Sequence, residues 1–166
     1  MKPLYSLFIL LIFLVSCKSS KQTSVITKKK DLPKTTVSIN TADAVVNNAK
    51  DFNGVKYQYG GTTRRGMDCS GLIYVSFKKE DIHLPRISRD MAKKGKDIHL
   101  NKVTKGDLLF FKTNKSRNVI NHVGLVTKSN KGAIQFIHAT SSKGVITSSL
   151  DEKYWNKAFV KAKRIL

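Results

Sequence analysis

Acidic residues are scarce in this sequence: 11 Asp and Glu stand against 31 Lys and Arg in 166 residues, which gives a formal charge of +20. So basic a chain is drawn to anionic polymers or anionic surfaces. The helix-turn-helix, zinc-finger and RNP patterns of nucleic-acid-binding proteins are missing, and the basic residues are scattered apart from residues 28–30 (KKK). We therefore expect no nucleic-acid partner. An equally good interpretation of the charge is that it is mostly solvated surface.

Long apolar runs are also lacking, which argues against a membrane-spanning helix of about 20 apolar residues. The longest run, residues 7–15 (LFILLIFLV), follows Lys2 near the start of the chain, which is typical of an export signal. It ends in Leu14-Val15-Ser16-Cys17, which resembles the bacterial lipobox. The resemblance implies cleavage after Ser16 and a lipid on the sulfur of Cys17. The alternative is an ordinary signal peptide with an incidental cysteine.

Cysteine is nearly absent, with two in the chain. If Cys17 becomes a thioether, Cys69 has no partner for an intrachain disulfide, and an unpaired thiol in an exported protein is a candidate reactive group. Residues 18–38 are rich in Ser, Thr and Lys without a sustained apolar period, which indicates a flexible tether. We predict a signal peptide at 1–16, a lipid-anchored linker at 17–38 and one folded domain at 39–166. The expected location is the bacterial cell envelope, membrane-anchored and facing the periplasm or the exterior.

Cys69 lies in the segment Asp68-Cys69-Ser70-Gly71-Leu72, where a glycine-rich approach gives way to an apolar helical pattern. The first N–H groups of a helix have no partner inside it, and the helix dipole places partial positive charge there. Both effects favour the thiolate, which is the nucleophilic form of cysteine. The position therefore predicts a reactive thiol, against the alternative of a buried structural cysteine.

Helical periodicity comes first in the domain, and strand patterns follow. Apolar residues recur at helical spacing from 42 to 52, Gly54 is placed to end that helix, and the Cys69 helix is predicted to run to about Lys79. Ser88 is a candidate cap for a short helix through Lys94. Strand-like runs then occupy residues 108–111, 123–126, 133–138, 145–147 and 159–165. This order predicts an α+β fold, an antiparallel sheet with helices packed on one side.

Two of the four histidines, His83 and His99, have polar, loop-like neighbours and are predicted to be surface residues. His122 begins one predicted strand and His138 ends the next, so a hairpin would bring both imidazoles to one edge of the sheet. With Cys69 on a facing helix, the set provides a nucleophile, a base and an orienting group. One Cys and two His could instead hold zinc with an open position, but no pair among them has short ligand spacing. Catalysis is therefore the favoured interpretation.

Taken together, these motifs resemble those of the NlpC/P60 family of cell-wall cysteine peptidases. The matching segments are Tyr57-Gln58-Tyr59-Gly60-Gly61, Asp68-Cys69-Ser70-Gly71, Leu84-Pro85-Arg86 with Ser88, residues 105–111 (KGDLLFF, lysine standing where the family has proline), His122-Val123-Gly124 and Ile137-His138-Ala139. The match runs from about Ala42 to the C-terminus in the family's order. That order makes the resemblance specific, whereas any single motif would be weak. The lipobox adds support, since several members are similar lipoproteins.

The resemblance implies a papain-like NlpC/P60 core, in which the nucleophile helix packs on a five- to six-stranded antiparallel sheet. It implies Cys69 as nucleophile, His122 as base and His138 as orienting residue, with Tyr57 near the oxyanion and the substrate backbone. The further candidates for substrate and oxyanion contacts are Asp68, Ser70, Arg86 and Ser88.

The implied substrates are the stem peptides of peptidoglycan, cut at the D-γ-glutamyl–diamino acid bond or at D-Ala cross-links. We expect a monomer that needs no metal and no cofactor. Stem peptides carry free carboxylates, so Arg86 is a candidate anion contact, whereas surface solvation is the favoured role for Arg64 and Arg65. Two other functions stay open: an acyltransferase on the same papain-like scaffold, and a module that binds peptidoglycan without cutting it. The complete set of one cysteine and two histidines argues against mere binding.

Overall fold

A computed structural model of the protein describes residues 34–166 except 115, 117 and 131. The predicted signal peptide, Cys17 and residues 17–33 of the predicted linker lie outside the described residues. Within the described part, no helix combines the length and the apolar character needed to cross a membrane. The elements in chain order are α1 (Lys34–Lys50), β1 (Thr62–Thr63), β2 (Gly66–Met67), α2 (Cys69–Lys78), α3 (Ser88–Met91), β3 (Lys96–Ile98), a 3₁₀ helix (Leu100–Lys102), β4 (Leu108–Phe111), β5 (His122–Asn130), β6 (Ala133–Thr140), β7 (Gly144–Ser149), α4 (Lys153–Ala158) and β8 (Phe159–Arg164).

Six strands form one antiparallel sheet in the order β3-β8-β4-β5-β6-β7, and β1 pairs with β2 in a separate small hairpin. The predicted α+β class and the five- to six-stranded antiparallel sheet are confirmed. The apolar runs of the sequence correspond to β4 through β8. Strands β1, β2 and β3 were not predicted, because segments of two or three residues carry no periodic signal.

Strand β4 separates two apolar cores, since alternate residues of a strand face opposite sides of the sheet. Leu108 and Phe110 belong to the core shared with α1 and α2, whereas Leu109 and Phe111 belong to a second core that contains Trp155 of α4. The expectation that all helices pack on one side is therefore wrong for α4. A six-residue helix is too short to show an apolar period, so the sequence did not reveal it.

Helix α2 ends at Lys78, one residue before its predicted end. Its Leu72, Ile73 and Phe77 are fully buried against the sheet, where α2 packs on β5 and β6. Burial of an apolar side chain of this size contributes about 1.5–3 kcal/mol. Packing on the sheet thus fixes the direction of α2, and with it the position of its first residue, Cys69.

Two other helix boundaries differ from the prediction. Helix α1 begins at Lys34, inside the segment predicted to be linker. The sequence did not predict this start, because the first turns of the helix (KTTVSIN) are rich in residues of low helix propensity. Ser88 is the first residue of α3 and not its cap: Ile87 occupies the cap position in an extended conformation. That helix ends at Met91 and does not reach Lys94.

Candidate active site

Asp68 holds the loop before the nucleophile helix against the start of that helix. Its Oδ1 accepts from the backbone N–H of Gly71 at 2.6 Å, which caps α2, and its Oδ2 accepts from Gly60 N–H at 2.8 Å. Arg86 donates to both carboxylate oxygens, at 3.0 and 2.9 Å. Burial raises the pKa of Asp68, but the hydrogen bonds from Arg86 and from Gly71 N–H outweigh it, and the net shift is downward. The carboxylate is therefore charged at neutral pH.

Arg86 completes this network behind Cys69. Its Nη1 also donates to Ser70 Oγ at 2.9 Å, and its Nη2 donates to the carbonyl of Gly61 at 3.3 Å. A Cβ at Gly71 would collide with the carbonyl of Gly61, so only glycine allows the loop to approach the helix this closely. The structure thus brings Asp68, Ser70 and Arg86 into contact with one another, where they fix the backbone around the nucleophile.

Cys69 is the first residue of α2 and is 8% exposed. Burial raises the pKa of its thiol to about 11; backbone N–H groups, foremost that of Val123, lower it, and the Asp68 carboxylate raises it. The N–H groups at the helix start do favour the thiolate, as expected, but loss of water on burial outweighs them and the net shift is upward. The contact with Val123 places the sulfur beside the start of β5.

His122 and His138 lie side by side at one edge of the sheet, as predicted. Strands β5 and β6 are antiparallel neighbours, with Leu125 opposite Ile137, and the predicted hairpin is confirmed. Nε2 of His122 lies 2.9 Å from Nδ1 of His138, and the two rings are perpendicular at 88°. This bond leaves Nδ1 of His122 as the ring nitrogen that can serve the thiol.

Burial favours the neutral form of both histidines. Burial lowers the pKa of His122 to about 4, although the charge of Asp68 raises it. Burial also lowers the pKa of His138 to about 3, and the neighbouring His122 lowers it further. A neutral imidazole is the form that can accept a proton, so the downward shift of the His122 pKa suits a general base.

Trp155 forms one wall of the histidine pair. Its ring stacks on His122 at 5.2 Å and 23°, and meets His138 edge-on at 4.5 Å and 81°. The sequence indicated only that Tyr154 and Trp155 are core or rim residues. The structure separates them, since Trp155 is buried against the histidines and Tyr154 is 57% exposed.

A cleft of about 350 Å³ opens over these groups. It is lined by Tyr57, Cys69, Thr113, Asn121, His122, Ala139, Thr140, Ser141, Ser142, Tyr154 and Trp155. Of the predicted contact residues, Tyr57 lies in this lining, whereas Asp68, Ser70 and Arg86 form the network behind it. Ser88 is buried in the first turn of α3. Sequence reasoning missed the Thr, Ser and Asn side chains of the cleft, because they sit in or next to loops and carry no motif.

Tyr57, which the sequence resemblance places near the oxyanion, lines this cleft. Burial raises the pKa of its hydroxyl, and the nearby Cys69 and Asp68 raise it further. The phenol therefore keeps its proton and can donate to an oxygen of a bound molecule. Among the residues that the structure describes, no three His, Cys, Asp or Glu side chains are grouped in a way that would hold a metal ion.

Comparisons with known proteins agree with this geometry. The model of the NlpC/P60 family matches residues 54–164. The probable endopeptidase NlpC of Escherichia coli (strain K12) is 45% identical over 117 residues, covering 70% of this chain and 73% of that protein. The murein DD-endopeptidase MepS/murein LD-carboxypeptidase of the same strain is 33% identical over 129 residues, covering 77% of this chain and 65% of that protein.

A solved structure shows the same fold. The crystal structure of an NlpC/P60 family protein from Bacillus cereus ATCC 10987 matches with a TM-score of 0.68 and 28% identity. The match covers 75% of this chain and 40% of the B. cereus chain. This chain therefore spans less than half of that larger protein.

Proposed function

The chain belongs to the NlpC/P60 family and is a cysteine peptidase, and we propose that it hydrolyses the stem peptides of peptidoglycan during cell-wall remodelling. The observation that carries this proposal is that Cys69 and His122 line one cleft, with Nδ1 of the buried His138 lying 2.9 Å from Nε2 of His122. The two E. coli relatives, named as a probable endopeptidase and a murein DD-endopeptidase, support the same class of substrate. The match covers only part of each relative, so the activity of the whole protein is part of the proposal.

Attack begins with the neutral pair. Nδ1 of His122 takes the proton from Cys69 as the sulfur bonds to the carbon of the scissile amide, and Nε2–H of His122 then donates to Nδ1 of His138. The sulfur gains a bond to carbon as the carbonyl oxygen takes up the electron pair. Burial opposes each charge separately, but the opposite charges formed in this transfer attract each other at short range.

The oxyanion and the leaving group are served by groups already in place. Cys69 is the first residue of α2, so its backbone N–H has no carbonyl partner within the helix. This N–H and the Tyr57 hydroxyl can both donate to the developing oxyanion. His122 then returns its proton to the leaving amine as the C–N bond breaks and the acyl-enzyme forms. Water, activated by the same imidazole, releases the acid and restores the thiol.

The scissile bond is the D-γ-glutamyl–diamino acid bond or a D-Ala cross-link. The relative named as a murein DD-endopeptidase supports the second. We also propose that the protein acts as a monomer. Sedimentation of the active protein as a dimer would contradict this part of the proposal.

Digestion of purified muropeptides, followed by mass spectrometry, tests the function. We expect pairs of fragments whose masses sum to the substrate plus one water, and the fragment masses identify the bond. A product that carries a transferred acyl group would indicate the acyltransferase alternative. Muropeptides that bind to the protein but keep their original masses would indicate a binding module.

We also propose that the protein is a lipoprotein of the bacterial cell envelope, anchored through Cys17 and facing the periplasm or the exterior. The support is the sequence Leu14-Val15-Ser16-Cys17 after an apolar run. We expect Cys17→Ala to leave an unprocessed, unlipidated precursor, as measured by intact mass and by membrane fractionation. Cys69→Ala is the matched control, since it removes the other cysteine and should be processed like the parent. A Cys17→Ala protein with the mass shift and fractionation of the parent would contradict the anchor.

A further inference from the structure

His138 has a polar partner at each ring nitrogen, and the mechanism above uses one of them. Nδ1 lies 2.9 Å from Nε2 of His122, and Nε2 lies 3.1 Å from the hydroxyl oxygen of Ser148. His138 is fully buried and Ser148 is 7% exposed. Water has little access to either group, so the fold itself decides what Nε2 of His138 bonds to.

The register of the sheet sets Ser148 beside the ring. In the β6–β7 pair, Ser148 is opposite Phe136 and Ile146 is opposite His138. Ser148 and His138 are therefore diagonal neighbours on one face of the sheet. The rings of Phe136 and Trp155 enclose His138 at centroid distances of 4.7 and 4.5 Å. Neither ring offers a hydrogen-bond acceptor, so the Ser148 hydroxyl is the neighbour that can accept from Nε2 when that nitrogen carries a proton.

The reaction requires one arrangement of protons along this row. When His122 takes the thiol proton on Nδ1, both of its nitrogens carry hydrogen, and Nε2–H has to donate to Nδ1 of His138. That nitrogen can accept only if His138 carries its own proton on Nε2. In the opposite tautomer, Nδ1–H of His138 donates to His122 and leaves the neutral His122 with its proton on Nδ1. Such a ring cannot take the proton of Cys69.

We propose that Ser148 is a positioning residue: its Oγ accepts from Nε2–H of His138 and holds His138 in the tautomer that accepts from His122. The inference rests on the proposed function, because it concerns the base of the same reaction. Ser148 acts through the two histidines and not on the reacting atoms. The thiol proton moves to Nδ1 of His122 and from there to the leaving amine, so His138 and Ser148 keep their own protons throughout.

Removal of the hydroxyl should lower the rate of reaction and leave substrate binding alone. In Ser148→Ala a buried Nε2–H would lack a partner, which disfavours the productive tautomer. We expect kcat on a stem peptide to fall about tenfold, the size of effect expected from one hydrogen bond, with KM unchanged. Thr147→Ala is the matched control, since Thr147 is exposed on the same strand and its loss should leave kcat at the parent value.

A second pair of variants separates the hydroxyl from the shape of the side chain. Ser148→Thr keeps the hydroxyl. Ser148→Val introduces a side chain of the same shape as threonine, with a methyl group in place of the hydroxyl. We expect the threonine variant to be several-fold more active than the valine variant when thermal unfolding shows both to be folded. Equal activity of the two folded variants, or a Ser148→Ala protein with the kcat of the parent, would overturn the proposal.

The ¹⁵N chemical shifts of the His138 ring give a readout that needs no substrate. We expect Nδ1 without a proton and Nε2 with one in the parent, and a shift toward the opposite tautomer in Ser148→Ala, with signals assigned by their loss in His138→Gln. Protonated Nδ1 in the parent, or no change in Ser148→Ala, would overturn the role of Ser148. If the parent cleaves no muropeptide while these shifts follow the expectation, the proposed function fails and the positioning role stands.

Discussion

Cys69→Ala is expected to abolish turnover of muropeptides while the protein stays folded. The change removes the sulfur that forms the acyl-enzyme, and neither histidine can replace it as nucleophile in the described geometry. Alanine is small and favours helices, so α2 should still begin after the Asp68 cap. Turnover is measured by mass spectrometry, and the fold by circular dichroism and thermal unfolding. A folded Cys69→Ala protein that still cuts stem peptides would show that Cys69 is not the nucleophile.

The same variant reports on the raised pKa of the thiol. Burial raises the pKa of Cys69 to about 11, against an ordinary value near 8.5. A thiol with a raised pKa in the folded state adds stability that is complete below pH ~8.5 and is lost as the pH rises toward 11. We therefore expect the difference in unfolding free energy between parent and Cys69→Ala to shrink across that range. A constant difference would mean that the thiol ionises as it does in the unfolded chain.

The nucleophile could be predicted because its position depends on residues next to it in the sequence. Asp68 caps the helix through Gly71, three residues on, and the apolar residues that bury α2 follow at once. The histidine pair could be predicted for a similar reason, since β5 and β6 are consecutive strands whose apolar patterns show where each begins and ends. The strand that supplies His122 starts at the same end of the hairpin at which His138 finishes.

The remaining features depend on residues that are distant in sequence. The pKa of Cys69 is raised by burial between α2 and the sheet, which outweighs the N–H groups at the start of the helix. Trp155 reaches the histidines from a six-residue helix on the other face, and Ser148 is one of many serines without a motif. Arg86 matched a motif, but its bonds to Asp68 and Ser70 could be found only from the folded chain.

His122→Gln is expected to lose most activity, whereas His138→Gln should retain a measurable part of it. A general acid or base contributes about 10²–10⁴-fold, and glutamine cannot take a proton from the thiol. An orienting residue mainly fixes the tautomer and angle of its neighbour, and the amide oxygen of glutamine can still accept from Nε2–H of His122. His83→Gln is the matched control, because His83 is exposed and its replacement should leave turnover unchanged.

The reactivity of the thiol should follow the same order. At neutral pH the protonated thiol reacts with iodoacetamide through transfer of its proton to His122, so His122→Gln should slow alkylation strongly. Its alkylation rate should then rise only as the pH approaches about 11, the pKa to which burial raises the thiol. His138→Gln should slow alkylation less, because the base is still present though less well oriented. An equal fall in the alkylation rate in both variants would show that the assigned roles of base and orienting residue are wrong. An alkylation rate that neither variant changes would show that the histidines do not act on Cys69. In that last case the catalytic interpretation of the cleft would fail, since the nucleophile would have no base.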